Sequence, residues 1–247
     1  MTRDAVVDAA LACAARAQLL SLGFGVPTAE AVGRVAACAA VLAQDAAGEE
    51  RELLAALVAG IDGAAPEDLE VDHARLFDCE CPCPPYEGSY EGDPFRQARQ
   101  MSDVAGFYAA FGARVAGPEG DRPDHVACEL EFLSFLALRR AAAVEEGRAE
   151  DAEVCGDAED SFLREHVGRW LGPFGTAVSG AAQTPVYRAL GRLAAGFAAS
   201  ELGRRGITPA PLGTRRRWSV EADELVCGAA AAHAPAGGCG GCGPADG

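Results

Sequence analysis

The sequence predicts an all-α protein, a single-domain bundle of about nine helices with a Pro-rich central loop and a Cys-containing C-terminal tail. Apolar residues recur at spacings of three and four along most of the 247 residues. No run of alternating β-branched residues is long enough to indicate a strand. Gly, Pro and capping residues interrupt the apolar pattern where helices would begin and end.

Four helices are expected before the central loop. The first should stop near Gly23, and the second should open at Thr28, directly after Pro27. The acidic residues that follow Pro66 suit the N-terminus of the fourth helix. The expected helices run from about Thr2 to Leu22, from Thr28 onward, from about Ala46 to Val58 and from Pro66 to Phe77.

Five helices are expected after the loop. Asp93 is an N-cap followed by Pro94 at the first helical position, which opens the fifth helix. The sixth follows the segment GPEGDRPDH and runs to about Glu146. The charged residues 145–160 are interpreted as an exposed loop and a hinge for domain swapping. The seventh helix should contain FLREHVGRWL and end before Pro173. The eighth should cover about Phe174 to Ala182, and the ninth should start at Thr184-Pro185.

The net charge limits the classes of partner. The chain has 37 acidic and 21 basic residues, a formal charge of −16, and it contains no lysine. A surface this acidic is not expected to bind nucleic acid, but it would attract a basic peptide. No apolar run approaches the roughly 20 residues that a membrane helix needs. We therefore expect no signal peptide, no membrane insertion and a cytoplasmic location.

The ten cysteines raise the question of a metal site, because a cytosolic chain does not ordinarily hold a disulfide framework. Cys79, Cys81 and Cys83 in the loop could chelate a soft metal, but the bracketing prolines strain such a site and no fourth ligand is evident. Residues 1–207 are predicted to form the helical domain and residues 208–247 a flexible tail. The tail offers a tetrahedral zinc or iron set, but only Ala, Gly and Pro lie between its members, so no side chain is available to orient them: Cys227, His233, Cys239 and Cys242.

Four stretches together resemble one known family. They are ARLFDCECPCPPYEGSYEG from Ala74, DRPDHVACELEFL from Asp121, FLREHVGRWLGPF from Phe162 and TPVYRALGRLAAGF from Thr184. Their order and spacing resemble the TorD/DmsD/NarJ-like redox enzyme maturation chaperones over roughly residues 5–205. Family members are all-helical cytosolic proteins that bind the twin-arginine signal peptide of a molybdenum-cofactor oxidoreductase and hold it back from export. The resemblance also implies a homodimer and weak guanine nucleotide binding for some members.

The resemblance implies a binding region made from two loops. The Pro-rich loop would supply Phe77, Pro84, Pro85, Tyr86, Glu87 and Tyr90, and the second loop Asp121, Asp124, His125 and Glu129. Carboxylates suit arginine because the pairing can be bidentate, and the prolines pre-order the loop. Alternatives remain open for several of these residues. Asp124 would also suit an N-cap of the sixth helix, His125 a structural helix start, and the tyrosines ordinary packing.

The function expected from these observations is that of a cytosolic chaperone. It would bind the twin-arginine leader or the apo form of a molybdoenzyme catalytic subunit and assist cofactor insertion before export. The alternative is a metal or iron–sulfur handling protein that uses the cysteines. An enzyme is not expected, since the chain has no lysine and so no Gly-x-x-x-x-Gly-Lys phosphate loop.

Overall fold

Nine α-helices make up most of the part of the chain described in the computed structural model, residues 2–79, 81–115 and 122–213. They are α1 (Arg3–Phe24), α2 (Ala29–Asp45), α3 (Gly48–Gly63), α4 (Pro66–Ala74), α5 (Pro94–Ala110), α6 (Val126–Glu145), α7 (Ala149–Glu165), α8 (Val167–Ala181) and α9 (Pro185–Arg205). A π-helical segment, Arg75–Cys79, and a 3-10 turn, Glu87–Tyr90, lie between α4 and α5. The all-α prediction is confirmed for the described residues.

Side-chain caps fix several of the helix starts that the sequence predicts. The hydroxyls of Thr28 and Thr184 accept the backbone N–H of Ala31 and Tyr187, at 3.2 and 3.4 Å. Asp93 accepts the N–H of Phe95 at 2.9 Å. Each bond satisfies a donor that the first helical turn leaves without a partner.

Helix α1 packs along α6, antiparallel to it. Ser21 donates its hydroxyl to the carbonyl of Ala127 at 2.9 Å, and Ser134 donates to the carbonyl of Ala14 at 3.0 Å. By length and composition alone α1 could cross a membrane, but ten of its residues are buried among the other helices. A core helix of a folded bundle has this same composition.

Helices α8 and α9 approach so closely that only glycine fits at the contact. A Cβ on Gly175 would lie 2.5 Å from the carbonyl oxygen of Gly191, and a Cβ on Gly191 would lie 2.5 Å from that of Gly175. Such close approach lets Trp170, Leu171 and Phe174 reach the common core. The contact sets the position of α8, which carries several residues of the polar cluster described below.

The exposed loop expected at residues 145–160 is wrong, whereas the hinge for domain swapping expected there stays a prediction. The chain turns only at Gly147, with φ +74°, and α7 begins at Ala149. Cys155, Phe162 and Leu163 are buried at helical spacing, but the many acidic residues between them hide this pattern in the sequence. One of these acids, Glu159, is buried and bonds to Arg205 and Arg140 from neighbouring helices.

The expected helix boundary at Pro173 is also wrong. Pro173 lies inside α8, and the break falls seven residues earlier, at His166, whose φ and ψ are −129° and −106°. Gly168 permits this break, because a Cβ there would meet the carbonyl oxygen of Leu163 at 2.1 Å. The predicted tail 208–247 lies outside the described residues from position 214 onward.

The glycine contact between α8 and α9 gives a test of the packing. We expect Gly191→Ala to lower the free energy of unfolding by about 1–3 kcal/mol, because the added methyl group must push two backbones apart. Gly196→Ala on the same helix meets no atom within 4 Å and should gain up to about 1 kcal/mol from helix propensity. Urea unfolding of both variants measures the difference, and equal stabilities would contradict the close contact.

Candidate functional site

The structure brings the two predicted binding loops together. Tyr86 and His125 form an isolated antiparallel bridge. Its hydrogen bonds run from the N–H of Glu87 to the carbonyl of Asp124 at 2.9 Å, and from the N–H of Val126 to the carbonyl of Pro85 at 2.8 Å. The Pro-rich loop therefore lies against the start of α6 as one fixed unit.

Most of the predicted binding residues are not on the surface. Phe77, Pro85, Glu87, Asp124 and Glu129 are buried, whereas Pro84, Tyr86, Tyr90 and His125 are half-buried. Asp121 lies outside the described residues. The side chain of Phe77 packs among core rings, 6.2 Å from that of Phe24 and 6.0 Å from that of Phe174. Client binding by this set stays a prediction, and the contacts seen here are internal.

Glu87 is the centre of a buried polar cluster. Its carboxylate accepts hydrogen bonds from Gln100 at 2.8 Å and from Arg169 at 3.1 Å, and it lies 3.1 Å from Nδ1 of His166. These partners come from α5, from α8 and from the junction between α7 and α8. A buried carboxylate requires such partners, because desolvation of an unpaired charge costs several kcal/mol.

Arg169 extends the cluster to the chain that follows α9. It pairs with Glu91 and donates to the carbonyls of Ala210 and Pro211, at 3.0 and 2.8 Å. Sequence reasoning missed Arg169 and Gln100. The only available signal for Arg169 was its place in FLREHVGRWL, one of the quoted family stretches.

The carboxylate of Asp124 forms its hydrogen bonds with residues of the two loops and does not cap the sixth helix. Its carboxylate accepts two bonds from Arg122 and one from the N–H of Gly88. The alternative that Asp124 caps the sixth helix is wrong, since the N-cap is His125, whose Nδ1 accepts the N–H of Ala127 at 3.2 Å. His125 therefore lies at the helix start, as its structural alternative expects, and client contact by His125 stays a prediction.

Glu129 is fully buried beside the same cluster. One oxygen, Oε2, accepts the indole N–H of Trp170 at 3.0 Å. The other, Oε1, is buried and has no hydrogen-bond donor among the described residues. Burial, followed by the charge of Glu87, raises the pKa of Glu129 well above its usual range. A proton on Glu129 can be donated to Glu87, which satisfies the orphaned oxygen.

Within the described part of the chain, the loop thiols form no cluster with other metal-ligating side chains. Cys79 is exposed, Cys81 is half-buried with φ +48°, and Cys83 is buried. Among the described residues, no group of three or more His, Cys, Asp or Glu side chains is placed to hold a metal ion. The tail candidates lie outside those residues: Cys227, His233, Cys239 and Cys242.

A second surface, which sequence reasoning missed, is an open apolar groove of about 620 Å³ between α1, α2, α3 and α9. Its floor consists of large apolar side chains, namely Leu19, Leu20, Leu42, Leu53, Leu54, Leu193 and Phe197. Ion pairs lie along its edge, with Arg16 bonded to Glu50 at 2.5 Å and Arg192 to Glu49 at 2.6 Å. Small residues of α9, such as Gly196, leave the space open.

The buried state of Glu129 gives a pH prediction. The pKa of Glu129 is higher in the folded protein than in the unfolded chain. As pH rises above the unfolded-state pKa, the unfolded chain releases the proton first, and the free energy of unfolding therefore falls. Glu129→Gln keeps the acceptor for Trp170 and a donor for Glu87. We expect this variant to unfold at higher urea than the wild type, by a margin that widens from about pH 5 to about pH 8.

Glu131→Gln, exposed on the same helix, is the matched control and should show no such widening. A constant difference between Glu129→Gln and the wild type across this range would contradict the assignment.

Comparisons with known proteins agree with this architecture. Residues 41–175, more than half of the chain, match the nitrate reductase delta subunit family. The selenate reductase assembly chaperone of Thauera selenatis is 34% identical over 111 residues, 44% of this chain and 56% of that protein. The chlorate reductase assembly chaperone of Ideonella dechloratans is 33% identical over the same shares.

The perchlorate reductase assembly chaperone of Dechloromonas aromatica is 29% identical over 55% of this chain and 61% of that protein. The match thus spans little more than half the length of these relatives. A crystal structure from Archaeoglobus fulgidus, assigned as a redox enzyme maturation protein, covers 74% of this chain and 92% of its own. It shares the fold at a TM-score of 0.50 and 23% identity. On the match over residues 41–175, the chain belongs to the nitrate reductase delta subunit family, the NarJ and TorD-like chaperones.

Proposed function

We propose that the chain is an assembly chaperone for the catalytic subunit of a molybdenum-cofactor reductase. Membership of the family supports this proposal, as do the three relatives named as assembly chaperones of reductases. None of these relatives is named as a catalytic subunit, which agrees with the expectation that the chain is not an enzyme.

The apolar groove is the observation that carries the proposal in this structure. Concave apolar clefts are the usual sites at which proteins bind ligands, and the floor of this cleft is formed mainly by the edge of the buried core. A volume of about 620 Å³ lies within the range of ligand-binding pockets. Its leucine-rich floor suits an apolar segment of a catalytic subunit that has not yet received its cofactor. Covering that segment would keep the subunit from aggregating while it waits for assembly.

The finer part of the proposal concerns the leader of the client. We propose that the two joined loops bind its twin-arginine head, before cofactor insertion and export from the cytoplasm. The strongly acidic composition supports this, as does the fixed geometry of the loops, which lowers the entropy lost on binding. The apolar groove and the loop surface are separate in this proposal, and each has its own test.

The groove is tested by filling it. A Cβ at Gly196 or at Gly180 meets no atom within 4 Å, but only Gly196 lines the groove. We expect Gly196→Phe to occupy the space and Gly180→Phe to leave it open. Tagged wild type and both variants would be used in pull-downs from the native host grown by anaerobic respiration, with mass spectrometry of the bound proteins.

The proposal expects the catalytic subunit of a molybdenum-cofactor reductase with the wild type and with Gly180→Phe. It expects at least about tenfold less of that subunit with Gly196→Phe, the loss that about 1.4 kcal/mol of binding free energy gives. Equal recovery with all three proteins would exclude the groove. Failure of the wild type to capture any such subunit would contradict the chaperone function itself.

A further inference from the structure

We propose that Tyr86, Gly88 and Asp124 form a binding site for an arginine side chain of the client, and that Arg122 of the chain itself fills this site until the client displaces it. The inference rests on the proposed function, because the twin-arginine leader is the expected source of the arginine. It adds the pairing of Tyr86, Gly88 and Asp124 around one arginine side chain and, above all, the internal competitor Arg122.

The contacts of Arg122 are those by which proteins recognise arginine. Its Nε donates to Oδ1 of Asp124 at 2.9 Å, and its Nη2 donates to Oδ2 at 2.6 Å. The same guanidinium lies 4.4 Å from the centre of the Tyr86 ring. A bidentate carboxylate combined with an aromatic face selects guanidinium over ammonium, because lysine cannot make two parallel bonds.

The site is held in place by groups other than Arg122. Asp124 is fully buried, and the N–H of Gly88 donates to its Oδ2 at 3.0 Å. The ring of Tyr86 packs edge-on against that of His125 at 5.2 Å, and the backbone bridge joins these two residues. A Cβ on Gly88 would lie 3.0 Å from the Asp124 carboxylate and 3.1 Å from the Arg122 guanidinium, so glycine leaves room for the cation.

Arg122 is placed to be exchanged. Its side chain is 40% exposed, whereas that of Asp124 is 0% exposed. Emptying the site would leave a buried carboxylate without its counter-ion, which is costly. Replacing one arginine by another keeps the charge pair and both hydrogen bonds. Exchange of Arg122 for a client arginine is therefore much easier than release of Arg122 alone. The apparent affinity for the client is reduced in proportion to the fraction of molecules in which the site is free of Arg122.

The first experiment needs no client. Arg122→Ala should leave a guanidinium-shaped site, so methylguanidinium at about tenfold above its Kd should raise Tm by roughly 3–5 °C. Methylammonium at the same concentration should raise it less. The wild type, in which Arg122 competes for the site, should rise by only about 1 °C, and Arg122→Ala/Asp124→Asn should not respond. Arg99→Ala, which removes an exposed arginine that pairs with Asp103, is the matched control and should respond like the wild type.

A folded Arg122→Ala protein that responds to the two cations equally, or to neither, would overturn the proposal. If Arg122→Ala does not fold, Arg122→Lys replaces it in the same scan. That variant keeps the positive charge but cannot make two parallel hydrogen bonds to Asp124. Methylguanidinium should therefore displace its lysine and still raise Tm more than methylammonium does. The absence of that difference would likewise overturn the proposal.

The second experiment uses a synthetic peptide with two adjacent arginines before an apolar run, and its twin-lysine counterpart. If Arg122 fills the site in about nine of ten molecules, Arg122→Ala should bind the arginine peptide about tenfold more tightly than the wild type. The lysine peptide should gain less, and Asp124→Asn should erase the gain. Unchanged or weaker binding by Arg122→Ala would refute displacement of Arg122 while leaving the pull-down result, and so the chaperone function, intact.

Discussion

The loop between α4 and α5 depends on one buried carboxylate. Glu87 has no exposed surface, and its partners Gln100, His166 and Arg169 come from three different places in the bundle. A carboxylate in this position is stable only while these donors surround it. The position of the loop is therefore tied to the packing of α5, to the break between α7 and α8, and to α8 itself.

Two further buried acids, Asp124 and Glu129, also tie the loops to the packing of the helices. Asp124 holds the second loop through Arg122 and Gly88, and Glu129 links the start of α6 to the indole of Trp170 on α8. The acidic residues of the two loops thus set their shape before any ligand arrives. A surface that is already ordered loses little conformational entropy when it binds, which suits a protein that must hold a flexible segment. In the proposed function, the groove likewise offers apolar side chains on rigid helices.

Local signals in the sequence were enough for most helices. Thr28, Asp93 and Thr184 act on the next two or three residues, so their capping roles can be read without the fold. The part of α7 before Phe162 was missed because its buried face includes Glu159, an acid whose partner Arg205 is 46 residues away. Pro173 was taken as a helix end because the actual break at His166 has no strong local marker.

The candidate site shows the same limit. The motifs indicated which loops meet, and the bridge between Tyr86 and His125 agrees with that. They did not indicate burial, because the partner that neutralises Glu87, Arg169, lies 82 residues further along the chain. The groove could not be read from any one segment, since four helices contribute to it and its space depends on small residues of α9.

Hydrogen exchange of the loop amides tests most directly whether Glu87 fixes the loops. The N–H of Gly88 is bonded to the Asp124 side chain and that of Val126 to the Pro85 carbonyl. In the wild type both should be protected. Glu87→Gln removes the fully buried charge that pairs with Arg169 and leaves Glu91 as its remaining carboxylate partner, so both loop amides should exchange much faster while amides of α1 keep their protection. Equal protection of the loop amides in the two proteins, or none in the wild type, would contradict a site organised by this one carboxylate.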